Sequence, residues 1–108
     1  MTMTATVSNL DRLSALYSAG FQDSFLDNAL HKIVERQILR DEADLMRINA
    51  TMTQFEQQYG FTSESFWLRF QQGTMADTAD FMEWSILYKM WQRIHTRLTI
   101  LRDGDSYE

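Results

Sequence analysis

The sequence predicts an all-α protein, and three observations support this fold class. Proline, which breaks helices, is absent. Glycine occurs only four times, and each glycine follows a stretch in which apolar residues recur with helical spacing. Glycine just past a helix end adopts a left-handed conformation without a Cβ clash. The stops at Gly20, Gly60, Gly73 and Gly104 therefore predict four helices.

The helix boundaries follow from these stops and from the capping residues. Ser8 or Asn9 can cap the first helix, Thr62 the third and Asp77 the fourth, because their side chains accept hydrogen bonds from free backbone N–H groups. The predicted helices are Asn9–Ala19, Ser24–Tyr59, Ser63–Gln72 and Thr78–Arg102. We expect residues 9–102 to form one helical domain between a flexible N-terminus, residues 1–8, and a flexible C-terminus, residues 103–108.

Apolar residues in the second and fourth helices follow a coiled-coil spacing. The stripe on the second helix runs from Val34 to Tyr59 and is interrupted by Asp41, whereas the stripe on the fourth helix is interrupted by His95. Two such stripes predict a long antiparallel helical hairpin with a short connector helix. If Phe55 faces Phe81, Asp41 faces His95 as a buried polar pair. Alternatively, each interruption lies at a partly hydrated edge, or the third helix shifts the register by a turn.

The second helix is longer than the fourth, so its N-terminal part needs another cover. Leu26, Ala29, Leu30 and Ile33 are the apolar residues concerned. Either the first helix folds back onto them or a second subunit covers them. Because long exposed apolar seams tend to be buried, we expect a homodimer.

Composition argues against several functional classes. Of the 108 residues, 44% are hydrophobic, which is too apolar for a disordered chain. The net charge of −5 disfavours nucleic-acid binding by this chain alone. The absence of cysteine excludes disulfides and thiolate chemistry. Residues 1–8 do not form a secretory signal, and no apolar run approaches the roughly 20 residues of a membrane span, which predicts a cytoplasmic protein without a membrane partner.

No pattern in the sequence indicates catalysis, a metal or a cofactor. Asp77, Asp80 and Glu83 are better explained by helix capping and by the helix dipole than by metal binding. Neither His31 nor His95 follows a glutamate at the Glu-x-x-His spacing of helical di-metal sites. We therefore expect a protein that is not an enzyme, has no cofactor and acts by binding another protein.

Two groups of residues are candidates for partner binding. The third helix carries apolar side chains at consecutive positions, which cannot all face one core, so we assign Phe66, Trp67, Arg69 and Phe70 to a partner surface. The alternative is a short helix buried on several sides. The fourth helix carries a basic stripe, assigned to the same function: Lys89, Arg93 and Arg97. The alternative is a solvated face that pairs with acids such as Asp41, Glu42 and Asp44.

Two segments resemble a known family. Their residues are Phe55-x-x-x-Tyr59-Gly60-Phe61-Thr62-Ser63-Glu64-x-Phe66-Trp67-x-Arg69-Phe70-x-x-Gly73 and Asp77-x-x-Asp80-Phe81-Met82-Glu83-Trp84-x-x-x-Tyr88. Within about Phe21 to Arg102 the chain resembles small prokaryotic helical proteins that are typically encoded beside a small toxin-like gene. The resemblance implies an antitoxin of the type II kind that neutralises a small toxin by direct contact, and it supplies no catalytic residues. The acidic charge of the chain would suit a basic toxin. The alternative function is a helical scaffold or assembly subunit without a toxin partner.

Overall fold

The computed structural model describes residues 2–103, with side chains from Ser8 onward. This part of the chain consists of α1 (Thr2–Ser18), α2 (Ser24–Tyr59), α3 (Ser63–Gln71) and α4 (Ala79–Asp103), and it contains no strand. The all-α fold class is therefore confirmed. α1 begins at Thr2 rather than at Asn9, so it includes residues that we predict to precede the helix. Gly104 and the predicted flexible C-terminus beyond Asp103 lie outside the described residues.

The chain forms two compact units, which divide between Ile33 and Val34. In the first unit, α1 ends in a Schellman motif: Gly20 has a φ of 98°, and the Phe21 N–H donates to the Leu16 carbonyl at 3.2 Å. Asp23 then caps α2, because its carboxylate accepts a 3.0 Å hydrogen bond from the Leu26 N–H. The sequence predicts this glycine stop, and the structure confirms it.

A side-chain hydrogen bond links the end of α1 to the beginning of α2 in this first unit. The Tyr17 hydroxyl donates a 2.5 Å hydrogen bond to Asp27. This bond, together with burial and the nearby carboxylate charge, raises the pKa of Tyr17 to about 12. Leu26 and Leu30 are half-buried, whereas Ile33 remains 64% exposed. Which of the two covers lies over this segment, the first helix or a second subunit, therefore stays a prediction.

In the second unit, two side chains fix the connection between α2 and α3. Gly60, with a φ of 77°, ends α2 and donates its N–H to the Glu56 carbonyl at 2.8 Å. The predicted cap Thr62 accepts from the Ser65 N–H at 3.1 Å, which confirms its role. The Glu56 carboxylate accepts from the Ser63 N–H at 2.8 Å, where the helix dipole favours a negative charge. The last turns of α2 therefore hold the N-terminus of α3.

The cap of α4 differs from the prediction by one residue. Thr78, and not Asp77, accepts a 3.1 Å hydrogen bond from the Phe81 N–H. α4 consequently begins at Ala79, and Asp77 is exposed. Aspartate and threonine both suit this position, so the two neighbouring residues cannot be separated by type alone.

α2, α3 and α4 pack around an aromatic core centred on Trp84 and Phe66, both 0% exposed. Their rings stack with centroids 4.1 Å apart, and the Phe55 ring stacks on Trp84 at 5.5 Å. The indole N–H of Trp84 donates to the Ser63 hydroxyl at 2.9 Å, so this buried donor is satisfied. The other buried members of the cluster are Ile48, Met52, Phe81 and Ile94.

α2 and α4 form the predicted antiparallel hairpin, but the predicted register is wrong by about one helical turn. Phe55 stacks on Trp84 rather than on Phe81. The Phe81 ring instead lies 4.9 Å from the Tyr59 ring, and the Tyr59 hydroxyl donates to Asp80. This bond and burial raise the pKa of Tyr59. The first turn of α4 therefore lies beside the last turn of α2.

The shifted register removes the predicted pair between Asp41 and His95. His95 is exposed and stacks on Trp91, with ring centroids 4.8 Å apart. Asp41 is fully buried and contacts Arg97, which lies two residues after His95 on α4. The interruption of the α2 stripe is thus a buried charge with a partner, although the partner is arginine.

Candidate protein-binding surface

The aromatic residues of α3 divide between the core and the surface. Phe66 is completely buried against Trp84, so its assignment to a partner surface is wrong. Phe70 is half-buried, and its ring packs 5.4 Å from Phe66. The reason is that α2 and α4 enclose this side of α3, as the alternative interpretation of the helix requires. Leu68, on the other side of α3, is 54% exposed.

Trp67 and Arg69 do reach the surface. Trp67 is half-buried and stacks on Tyr88 with centroids 5.3 Å apart. The ammonium of Lys89 lies 5.7 Å from the Trp67 ring centroid, which is within cation–π range. Arg69 is exposed and places its guanidinium 4.6 Å from the Phe61 centroid. Trp67 therefore borders the basic stripe of α4 through Lys89.

Arg97, the third residue of that stripe, has a partner within the hairpin. Its Nε and Nη2 atoms donate to the two carboxylate oxygens of Asp41 at 2.8 and 2.6 Å, and Gln37 donates to the same carboxylate at 2.9 Å. The Arg97 hydrogen bond lowers the pKa of Asp41; burial opposes this shift, and Gln37 reinforces it. Arg102 also pairs with an acid of α2, Glu42, through a single contact between exposed side chains. For Arg97 the alternative interpretation of the stripe, pairing with acids of α2, is confirmed.

The exposed face of α4 combines apolar and basic side chains. Met82 is 46% exposed, Ile86 55% and Met90 39%, and these residues are spaced by four along the helix. Lys89 and Arg93 are exposed beside them. We call these five residues the α4 outer surface. Sequence reasoning missed Met82, Ile86 and Met90 as surface candidates. Their spacing by four is visible in the sequence, but the aromatic core stripe on the opposite face of α4 dominates its periodicity.

A shallow groove between α2 and α4 continues this surface. Ile48 and Thr51 of α2 and Leu87 and Met90 of α4 line the groove, together with Asp44 and Arg47. The next depression along α4 is lined by Met90, Arg93, Ile94 and Arg97, and a third includes Lys89, Arg93 and Arg97. The groove and the second depression share Met90, and the second and third depressions share Arg93 and Arg97, so the three adjoin as one apolar and basic surface.

A column of aromatic rings lies along the side of α4 that faces α3. Trp67 stacks on Tyr88, Tyr88 on Trp91 at 5.9 Å, and Trp91 on His95. Burial, and next the charge of Glu64, raises the pKa of Tyr88. Nucleobases bind by stacking on free ring faces, but these rings stack mainly on one another. The column therefore favours a structural role over a nucleic-acid platform.

Within residues 2–103 no three His, Cys, Asp or Glu side chains lie close enough to hold a metal ion. Over the same range, no helix is both long and apolar enough to span a bilayer. Comparison of the chain with protein-family models, curated proteins and solved structures finds no match.

Proposed function

We propose that the protein binds another protein through the α4 outer surface and neutralises it, in the manner of an antitoxin acting on a small basic toxin. The observation that carries the binding proposal is the contiguous exposure of Met82, Ile86 and Met90 beside a groove. Contiguous apolar surface with a polar rim is typical of protein interaction sites. A helix face bordered by a groove suits an amphipathic helix of the partner.

The charges act at two distances. The net charge of −5 attracts a basic protein from afar and speeds its encounter. At contact, Lys89 and Arg93 pair with carboxylates of the partner at the edge of the apolar patch, and Trp67 extends the contact from α3. Arg69 belongs to the proposed surface as an exposed cation, whereas Arg97 contributes only the half of its side chain that Asp41 leaves exposed.

The antitoxin role within this proposal rests on the resemblance of residues 55–88 to proteins encoded beside toxin-like genes. It involves no catalysis or cofactor and takes place in the cytoplasm. The alternative is a helical scaffold without a toxin. A second exposed apolar stretch on α2, which includes Leu39 and Met46, favours that alternative. A homodimer is part of both proposals, and its interface has to differ from the buried inner stripe of α2.

The proposal is tested by co-expressing the chain with the product of an adjacent small gene. We expect co-purification of the two proteins and restored growth when the small protein is toxic. Ile86→Asp and Arg93→Glu should each weaken binding by roughly 2 kcal/mol, about thirtyfold in Kd, if these residues lie at the centre of the interface.

The matched control is Met46→Asp, which places the same charge on an exposed apolar residue of α2. This variant should bind the partner as the unchanged chain does. Equal loss of binding in Met46→Asp and Ile86→Asp would show that the α4 outer surface is not the binding site. Co-purification without any effect on growth would favour the scaffold.

A further inference from the structure

α2 carries a second apolar stripe on the face opposite its buried one. Leu39, Ala43, Met46 and Ala50 are spaced 4-3-4, and all four are exposed, Leu39 by 61% and Met46 by 74%. We call these four residues the α2 outer stripe. The inner residues of the same segment, such as Ile48, face α4 in the core. The α2 outer stripe is therefore not used by the hairpin.

The charges beside the α2 outer stripe are separated by sign. In coiled-coil notation, Ala43 and Ala50 occupy a positions, and Leu39 and Met46 occupy d positions. The g positions on one flank then carry Glu35 and Glu42, followed by Asn49. The e positions on the other flank carry Arg40 and Arg47, followed by Gln54. One edge of the stripe is thus acidic and the other basic.

This separation determines which orientation of a second α2 would be complementary. In a parallel pair, each g residue faces the e residue of the following heptad on the other helix. Glu35 then meets Arg40 of the second copy, and Glu42 meets Arg47 of the second copy. In an antiparallel pair, g faces g and e faces e, which would place glutamate against glutamate and arginine against arginine.

We propose that a second copy of this chain binds the α2 outer stripe, forming a short parallel two-stranded coiled coil whose seam runs from Leu39 to Ala50. The proposal specifies the interface of the proposed homodimer and does not depend on a toxin partner. Glu42 now contacts Arg102, and Arg47 contacts Asp44, but both are exposed pairs of the weak kind and can rearrange at little cost. Alanine at the a positions lets the helices approach closely.

Sedimentation equilibrium of the isolated full chain tests the interface. Because the stripe covers only two heptads, we expect a weak dimer, with Kd on the order of 10 μM. Met46→Asp should raise Kd by roughly tenfold or more, since it would bury a charge in the seam. Met82→Asp is the matched control on α4 and should leave Kd unchanged. A monomer at about a hundred times that concentration, or a dimer insensitive to Met46→Asp, would overturn the proposal.

The orientation has its own test, because the natural chain contains no cysteine. In a parallel seam the two copies of residue 46 face each other, so Met46→Cys should form a disulfide-linked dimer on oxidation, and Met82→Cys should not. Glu42→Arg alone should raise the dimer Kd, and adding Arg47→Glu should restore it. A dimer that fails to cross-link through residue 46, or that the double reversal does not restore, would overturn the parallel arrangement.

Partner binding separates this inference from the proposed function. Ile86→Asp should weaken partner binding and leave the dimer unchanged, whereas Met46→Asp should weaken the dimer and leave partner binding unchanged. A chain that binds its partner but stays monomeric refutes the coiled coil alone.

Discussion

Arg97→Met removes the cation that pairs with a completely buried carboxylate. Asp41 is 0% exposed, and two of its three hydrogen bonds come from Arg97. Breaking a fully buried ion pair from one side costs about 3–5 kcal/mol, because the other charge stays buried without compensation. The Arg97 side chain is 51% exposed, so water can reach part of the vacated space. We therefore expect the free energy of unfolding to fall by about 2–3 kcal/mol, less than the fully buried limit.

Two further variants show whether the loss comes from the unpaired charge. Arg93→Met makes the same substitution one turn away at an exposed residue, and should change stability by less than about 0.5 kcal/mol. Replacing both members of the pair, Asp41→Leu with Arg97→Met, should leave stability within about 1 kcal/mol of the original chain, because apolar residues can fill the same space. Urea denaturation followed by circular dichroism measures all four proteins. If the double variant is as unstable as Arg97→Met alone, the two residues are not coupled, and this reasoning fails.

The contribution of Asp41 to stability should depend on pH with opposite signs in the original chain and in Arg97→Met. In the original chain Arg97 lowers the pKa of Asp41 below its unfolded value. The stabilisation is then fully present above the unfolded pKa of about 3.9 and is lost as the pH falls through the lower folded pKa. In Arg97→Met, burial dominates and raises the pKa of Asp41, so acidification below neutral relieves the penalty. Relative to Arg93→Met, the Arg97→Met protein should gain stability as the pH falls.

Three other substitutions test the core and its boundary. Phe66→Ala should destabilise the fold by about 3–5 kcal/mol in urea denaturation, because it empties the space against the buried Trp84 ring; a loss below 1 kcal/mol would contradict its burial. Ser63→Ala should cost about 1–3 kcal/mol, since the Trp84 N–H loses its acceptor, and a neutral result would show that another group replaces the hydroxyl. Trp67→Ala should weaken partner binding by roughly 2 kcal/mol in calorimetry while the fold survives, and unfolding of the isolated variant would instead place Trp67 in the core.

The local chemistry of the sequence was sufficient to predict most of the helices. The left-handed glycines Gly20 and Gly60 end α1 and α2, and the cap Thr62 begins α3, because each depends only on neighbouring backbone groups. The start of α1 at Thr2 was not predicted, since the first residues contain neither a clear cap nor an apolar stripe. Composition and spacing thus predict that a helix is present more reliably than they predict the residue at which it begins.

The register and the surface depend on packing between distant residues, which spacing alone does not determine. A stripe of apolar residues remains regular when one helix slides by a turn, so Phe55 could face either Phe81 or Trp84. In the structure Phe55 packs on Trp84, whose ring also stacks on Phe66 of α3. The same packing explains why Phe66 is core while Trp67, its neighbour in the chain, reaches Lys89.

Methionine methyl NMR tests the proposed binding surface most directly, because it requires no substitution. The chain contains seven methionines, of which Met82 and Met90 lie on the α4 outer surface, Met52 in the core and Met46 on the α2 outer stripe. When the proposed partner, a small protein encoded beside this chain, is titrated into the chain, the signals of Met82 and Met90 should shift or broaden, and those of Met46 and Met52 should stay in place. Saturable binding that leaves Met82 and Met90 unchanged would contradict the proposed surface.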